Sequence, residues 1–136
     1  MKRREPRLWA RACLVLLGVG RLAPAFPAEV EAPSPPAIWV LRVDGVINPA
    51  SARYLGRELE SAQERNAGLV ILELDTPGGL ETSMREMATA ILNSRVPVVV
   101  YVSPPGARAA SAGLFLVLAA PVAAMAPGTN IGAAHP

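Results

Sequence analysis

The stretch LVILEL occupies residues 69–74, and a second run, VVVYV, occupies residues 98–102. Each run is short, almost wholly apolar and rich in β-branched residues, which is typical of a strand buried in a parallel sheet. Between them, Leu80, Met84 and Ile91 fall on one face of a helical repeat. The two runs therefore predict neighbouring parallel strands joined by a crossover helix.

The flanking sequence continues this alternation. The other predicted elements, in chain order, are a strand at 38–43, a helix at 49–66, a short apolar helix at 111–119 and a strand at 122–125. Asn48 is suited to cap the first helix, Pro49 to begin it and Gly68 to stop it. The order β-α-β-α-β-α-β predicts an α/β fold with a mainly parallel sheet.

The first 36 residues have the composition of a leader and a tether. A basic stretch (1–11), a short apolar stretch (12–20) and small residues up to Ala28 follow one another, as in a secretory signal peptide. We expect a signal peptide over 1–25, with cleavage after Ala28 as the alternative. A proline-rich tether then spans 26–37, and the folded domain spans 38–136.

Composition excludes several classes of function. The chain has 136 residues, a net charge of +2 and one cysteine, Cys13, so a disulfide framework and a multi-cysteine zinc site are excluded. The basic residues are concentrated in the leader, and the remainder is mildly acidic, so no nucleic-acid partner is implied. We expect no metal and no cofactor.

Two glycine-rich turns follow the buried strands, DTPGG at 75–79 and GARAASAG at 106–113. Both are expected at the carboxyl edge of the sheet, where ligand sites form. Ser111 lies at a predicted helix start between small residues, where its hydroxyl is accessible and developing negative charge is favoured. The amides of Gly79 and Ala112 are then placed to converge on an oxyanion.

Ordinary structural roles compete with this catalytic one. A serine at a helix start is most often an N-cap, and a Pro-Gly-Gly turn is most often only a turn. Asp75 either caps the following helix or orients a loop, and capping is the commoner role. Arg108 stays protonated and is excluded as a general base.

Three motifs in order resemble the NfeD-type membrane-bound serine proteases of the ClpP/crotonase superfamily: DTPGGL at 75–80, GARAASAG at 106–113 and APGTNIGAAHP at 126–136. The resemblance implies a ClpP-like fold of stacked β-β-α units. It implies that Ser111 is the nucleophile and that Gly79 and Ala112 supply the oxyanion amides. Gly78, Arg108 and His135 then belong to loops around the site.

The same resemblance implies a biological setting. The substrate would be a peptide or a membrane protein, such as an apolar segment of a stomatin-like protein, and the enzyme would need no cofactor. We expect an exported, membrane-associated homo-oligomer on the extracytoplasmic face. Two other functions stay open: a crotonase-type enzyme acting on acyl thioesters, and a non-catalytic scaffold for membrane partners.

The general base implied by the resemblance is a lysine, but the only lysine is Lys2, in the leader. In the family this lysine follows the nucleophile by a few tens of residues, which would place it beyond Pro136. We therefore expect the sequence to be a piece of a longer protein, and the resemblance implies that downstream membrane spans and a small β-barrel domain follow in the family. His135 is the alternative base, because it stands in a His-Pro context like that of the ClpP catalytic histidine.

Overall fold

The structure, a computed structural model, describes residues 35–134. The predicted signal peptide, most of the tether and His135 lie outside the described residues. The described chain contains, in order, β1 (Ile38–Asp44), α1 (Pro49–Glu64), β2 (Leu69–Asp75), α2 (Glu81–Leu92), β3 (Val98–Val102), β4 (Arg108–Ala110), α3 (Ala112–Ala119), β5 (Val122–Met125) and β6 (Asn130–Gly132).

The main sheet has the strand order β1-β2-β3-β5, with every pair parallel. Leu41, Leu72 and Val100 are aligned on neighbouring strands, and all three are buried. Alternate residues of the same strands join the buried apolar faces of the three helices in one core cluster. The α/β fold with a mainly parallel sheet is confirmed, as are all four strands predicted for it.

Local sequence signals determine where the first helix begins and ends. The side chain of Asn48 accepts hydrogen bonds from the backbone N–H groups of Ala50 and Ser51, at 2.8 Å and 3.1 Å, and Pro49 opens the helix. This capping box satisfies amides that the helix itself leaves unpaired. The helix ends earlier than predicted, because Asn66, with φ of 53°, takes the left-handed conformation before Gly68 is reached.

A second, smaller layer lies beside the main sheet, and the sequence analysis missed it. Strands β4 and β6 pair in parallel, and isolated bridges join Ile47 to Gly79 and Thr76 to Ala109. The glycine-rich turn predicted at 106–113 contains β4, and the motif at 126–136 contains β6, a strand that the predicted element order does not include. With this layer, successive β-β-α units stack on one another, as the resemblance implies.

The opposite face of the main sheet is more open. Val40, Ile71, Val99 and Val122 are aligned across the four strands. Val40 and Val122 are 60% and 54% exposed, and the two between them are half-buried. Among residues 35–134, none of the helices combines the length and apolar character that a membrane crossing requires.

Candidate active site

Ser111 occupies a strained turn between β4 and α3. Its backbone angles are φ 52° and ψ −117°, a conformation that residues other than glycine rarely adopt. It stands at the N-cap position of α3, but its hydroxyl makes no capping hydrogen bond, and the residue is exposed. The common role of a helix-start serine is therefore absent here. Strained backbone of this kind clusters at functional sites, and a serine on a sharp strand-to-helix turn presents its hydroxyl outward.

The glycine turn after β2 lies directly against this serine. A Cβ atom added to Gly78 would lie 2.8 Å from the Cβ of Ser111 and 3.3 Å from its Oγ. Gly78 also has φ of +112°, which disfavours any other residue. The structure thus brings together the two turns that the sequence analysis placed at one edge of the sheet.

The peptide between Gly78 and Gly79 has a fixed orientation. The carbonyl of Gly78 accepts a hydrogen bond from the N–H of Ile47 at 2.9 Å, and the N–H of Leu80 donates to the carbonyl of Ile47 at 3.0 Å. Because a trans peptide points its C=O and N–H in opposite directions, the N–H of Gly79 points away from Ile47. Within the described residues, no group accepts a hydrogen bond from this N–H.

A second unengaged amide follows the serine. The N–H of Ser111 itself donates to the carbonyl of Gly132 at 2.7 Å, and the carbonyl of Ser111 accepts from Leu114 at 3.0 Å. The N–H of Ala112, in the first turn of α3, has no acceptor among residues 35–134. Ser111, Gly79 and Ala112 line the same cavity. Two free N–H groups beside one exposed hydroxyl form the arrangement that acyl-transfer chemistry requires.

Arg108 contributes to this region through its backbone. Its N–H donates to a carboxylate oxygen of Asp75 at 3.0 Å, its carbonyl accepts from Thr76 at 2.7 Å, and the residue is exposed. Capping was the wrong role for Asp75, because helix α2 begins after Leu80 with no side-chain cap. The Asp75 carboxylate orients the loop that leads into β4.

An apolar groove extends from Ser111 between α2 and α3. Its volume is about 800 Å³. The apolar side chains that line it are Met84, Ala88, Leu92, Phe115, Leu118 and Ala119. Leu92 and Leu118 are 68% and 70% exposed, so the groove is open to solvent. An exposed ion pair between Glu81 and Arg85 stands beside it.

The sequence analysis did not find this groove. Helix α3 reads AGLFLVLA, which is apolar on every side, so its periodicity separates no buried face from an open one. The available signal was a short apolar helix directly after the candidate Ser111, and the sequence analysis treated it only as one element of the fold.

Stacked β-β-α units, with a strained strand-to-helix turn packed against a glycine turn, define a domain of the ClpP-like fold class. The family match agrees with this class. The chain belongs to the family described as NfeD1b, N-terminal domain, whose model matches residues 37–136.

Two relatives are similar to this chain over most of its length. The chain is 42% identical over 99 residues to the membrane-bound protease PH1510 of Pyrococcus horikoshii, covering 73% of this chain and 22% of that protein. It is 39% identical over 97 residues to the membrane protein NfeD1b of Bacillus subtilis, covering 71% of this chain and 22% of that protein. The chain thus spans about a fifth of the length of these relatives.

Solved structures give the same result for the fold. The structure resembles 1510-N, a membrane protease specific for a stomatin homolog from Pyrococcus horikoshii, with 41% identity and a TM-score of 0.70 over 74% of this chain and 50% of that one. Serine-to-alanine and lysine-to-alanine mutants of 1510-N, the latter with a substrate peptide bound, give TM-scores of 0.73 and 0.72. A ClpP1 mutant from Listeria monocytogenes, 21% identical with a TM-score of 0.54 and matched over 60% of this chain and 46% of that one, shares the fold.

Proposed function

We propose that the full-length protein is a serine endopeptidase whose nucleophile is Ser111. The Ser111 hydroxyl attacks a peptide carbonyl and passes its proton through a general base to the departing amine. The resulting acyl ester on Ser111 is hydrolysed by water, which regenerates the hydroxyl. The amides of Gly79 and Ala112 stabilise the oxyanion that forms in each half of the reaction, and no metal or cofactor takes part.

The observation that carries this proposal is the backbone of Ser111. A serine that only capped α3 would have extended backbone angles and a hydroxyl bonded to the helix. Ser111 instead has φ of 52°, an exposed side chain with no hydrogen-bond partner among residues 35–134, and a neighbouring glycine, Gly78, that leaves no room for a Cβ. A serine can cap a helix with unstrained, extended backbone angles. The strained backbone of Ser111 therefore favours a functional reason for its conformation.

The general base is assigned to a lysine of the full-length protein. A lysine-to-alanine mutant of 1510-N holds a substrate peptide, which fits a dyad of serine and lysine in that relative. The only lysine in the present sequence is Lys2. His135 lies outside the described residues and remains the alternative base.

The groove beside Ser111 supports an apolar substrate. Its apolar lining comes from α2 and α3, and Phe115 and Leu118 are the larger side chains that α3 contributes. Apolar side chains of a peptide seated there would be removed from water while the scissile carbonyl lies at Ser111. Together with the leader and the membrane-bound relatives, this favours membrane proteins, including stomatin-like ones, as substrates on the extracytoplasmic face.

A fluorophosphonate probe tests the nucleophile directly. The full-length protein should be labelled at Ser111, as located by mass spectrometry of the modified peptide. Ser111→Ala should abolish labelling, while Ser94→Ala should be labelled like the parent, because Ser94 lies in the α2–β3 turn. Equal labelling of the parent and of Ser111→Ala would refute the proposal. Retention on a coenzyme A resin without labelling would favour a thioester enzyme instead.

A further inference from the structure

Thr76 is the buried residue at which the two halves of the candidate site meet. It follows β2 directly and has no exposed surface. The sequence analysis read it only as part of a turn. Resting on the proposed function, we infer that Thr76 is a positioning residue: its hydroxyl fixes the peptide that presents the Gly79 amide, and its methyl group sets the start of α3.

The hydroxyl of Thr76 engages both polar backbone groups of Gly78. The N–H of Gly78 donates to Oγ1 at 3.0 Å, and Oγ1 donates to the carbonyl of Gly78 at 3.2 Å. That carbonyl belongs to the same rigid peptide as the N–H of Gly79. Holding the carbonyl on one side therefore holds the Gly79 N–H on the other.

The backbone of Thr76 is bonded to the strand that carries the nucleophile. Its N–H donates to the carbonyl of Arg108 at 2.7 Å, and its carbonyl accepts from Ala110 at 3.0 Å. Ala110 immediately precedes Ser111. The loop that supplies one oxyanion donor and the strand that supplies the nucleophile are thus bonded to a single residue.

The methyl group of Thr76 packs at the start of α3. A Cβ added to Gly113 would lie 2.5 Å from Cγ2 of Thr76, so the methyl occupies the space that Gly113 leaves open. Gly113 follows Ala112, which supplies the second unengaged amide. Threonine is the residue whose side chain carries a hydroxyl for Gly78 and a methyl for Gly113 at one branched carbon.

Two variants of the full-length protein separate these contributions. Thr76→Val keeps the shape and removes the hydroxyl, whereas Thr76→Ser keeps the hydroxyl and removes the methyl. The matched control is Ser94→Ala, because the Ser94 hydroxyl also bonds a carbonyl two residues on, at 2.7 Å, but at the other end of the sheet. The assays are turnover of an apolar peptide and hydrogen exchange of the Gly78 and Gly79 amides.

Thr76→Val should lower kcat about 10- to 100-fold with KM changed less than twofold, as expected when a reacting group is displaced by about 1 Å. Exchange of the Gly78 amide should rise at least tenfold, while amides in β3 keep their rates. Thr76→Ser should restore kcat to within about threefold of the parent. Ser94→Ala should leave kcat unchanged, whatever it does to the unfolding midpoint.

Unchanged kcat in Thr76→Val, or loss of kcat without faster exchange at Gly78, would overturn the inference. An equal loss in Ser94→Ala would show a general effect of stability and would also overturn it. If the parent has no activity that depends on Ser111, the proposed function fails, and the hydrogen exchange alone then decides whether Thr76 orders the loop. If Thr76→Val does not fold, Thr76→Ser decides, because its retained hydroxyl should keep the Gly78 amide protected, and exchange of that amide at least tenfold faster than in the parent would refute the role of the hydroxyl.

Discussion

The contact between Gly78 and Ser111 allows a sharp test, because the chain contains a matched control. Gly78 and Gly106 both have positive φ, +112° and +85°, so alanine at either position is strained. Only at Gly78 would the new Cβ meet other atoms, 2.8 Å from the Cβ of Ser111 and 3.1 Å from the carbonyl oxygen of Ala110. At Gly106 no atom of residues 35–134 lies within 4 Å of the added Cβ. Comparing alanine variants at Gly78 and Gly106 therefore separates the effect of backbone strain from the effect of displacing Ser111.

The magnitudes follow from these distances. Strain alone should lower the free energy of unfolding of Gly106→Ala by about 1–2 kcal/mol. Gly78→Ala carries similar strain and, in addition, an overpacked contact that typically costs about 1–3 kcal/mol. Ordinary contact begins near 3.4 Å, so Ser111 has to retreat by more than half an ångström. A shift of that size should reduce reaction at Ser111 about 10- to 100-fold.

Urea unfolding and fluorophosphonate labelling of the full-length protein measure the two effects separately. Both variants should unfold at lower urea than the parent, and Gly78→Ala at the lowest. Labelling of Gly106→Ala should proceed at the parental rate, and labelling of Gly78→Ala should be slowed. If folded Gly78→Ala were labelled as fast as the parent, the Gly78 contact would not control the nucleophile. Equal slowing in both variants would attribute the effect to strain at any glycine.

Three further predictions concern the surroundings of the site. Gly113→Ala should destabilise the fold by about 1–3 kcal/mol, and adding Thr76→Ser should recover much of this in urea unfolding, because it removes the methyl group that the new Cβ would strike. Leu118→Ser, at a side chain that is 70% exposed, should change stability by less than about 0.5 kcal/mol yet raise KM for an apolar peptide several-fold. Replacing both Val40 and Val122 by threonine should leave the unfolding midpoint nearly unchanged and reduce self-association in light scattering, since both lie on the open sheet face.

The main sheet was predictable because its strands carry a strong local signal. Runs such as LVILEL and VVVYV are too apolar and too short for a surface helix, and β3 and β5 were placed with their observed bounds. The small strands β4 and β6 were not predictable in this way. Each has three residues, and RAA and NIG show neither alternation nor β-branched enrichment. Their pairing comes from the stacking of whole units, which local sequence does not encode.

In the candidate site, too, the sequence predicted only those residues that carry a local signal. Ser111, Gly78 and Gly79 were identifiable from small residues at strand-to-helix turns, since such turns need close backbone approach. The role of Asp75 was misjudged, because its partner is the backbone N–H of Arg108, which is distant in sequence and carries no side-chain signal. The buried hydroxyl of Thr76 was missed for a similar reason: threonine before Pro-Gly-Gly is unremarkable until the partners of its backbone are known.

The stacking of units also determines which backbone N–H groups beside Ser111 lack a hydrogen-bond acceptor among residues 35–134. In three successive units the segment that follows the sheet strand brings a different residue to the site: Gly79 after β2, Ser111 after β3, and Gly132, which belongs to β6, after β5. The carbonyl of Gly132 accepts a hydrogen bond from the N–H of Ser111 at 2.7 Å, so under the proposed function the amide of Ser111 itself is not available as an oxyanion donor. The donor left at the start of α3 is therefore the N–H of Ala112. Strand β6 thus contacts the site both through this hydrogen bond to Ser111 and through its pairing with β4, and under the proposed function it determines which amide can bind the oxyanion.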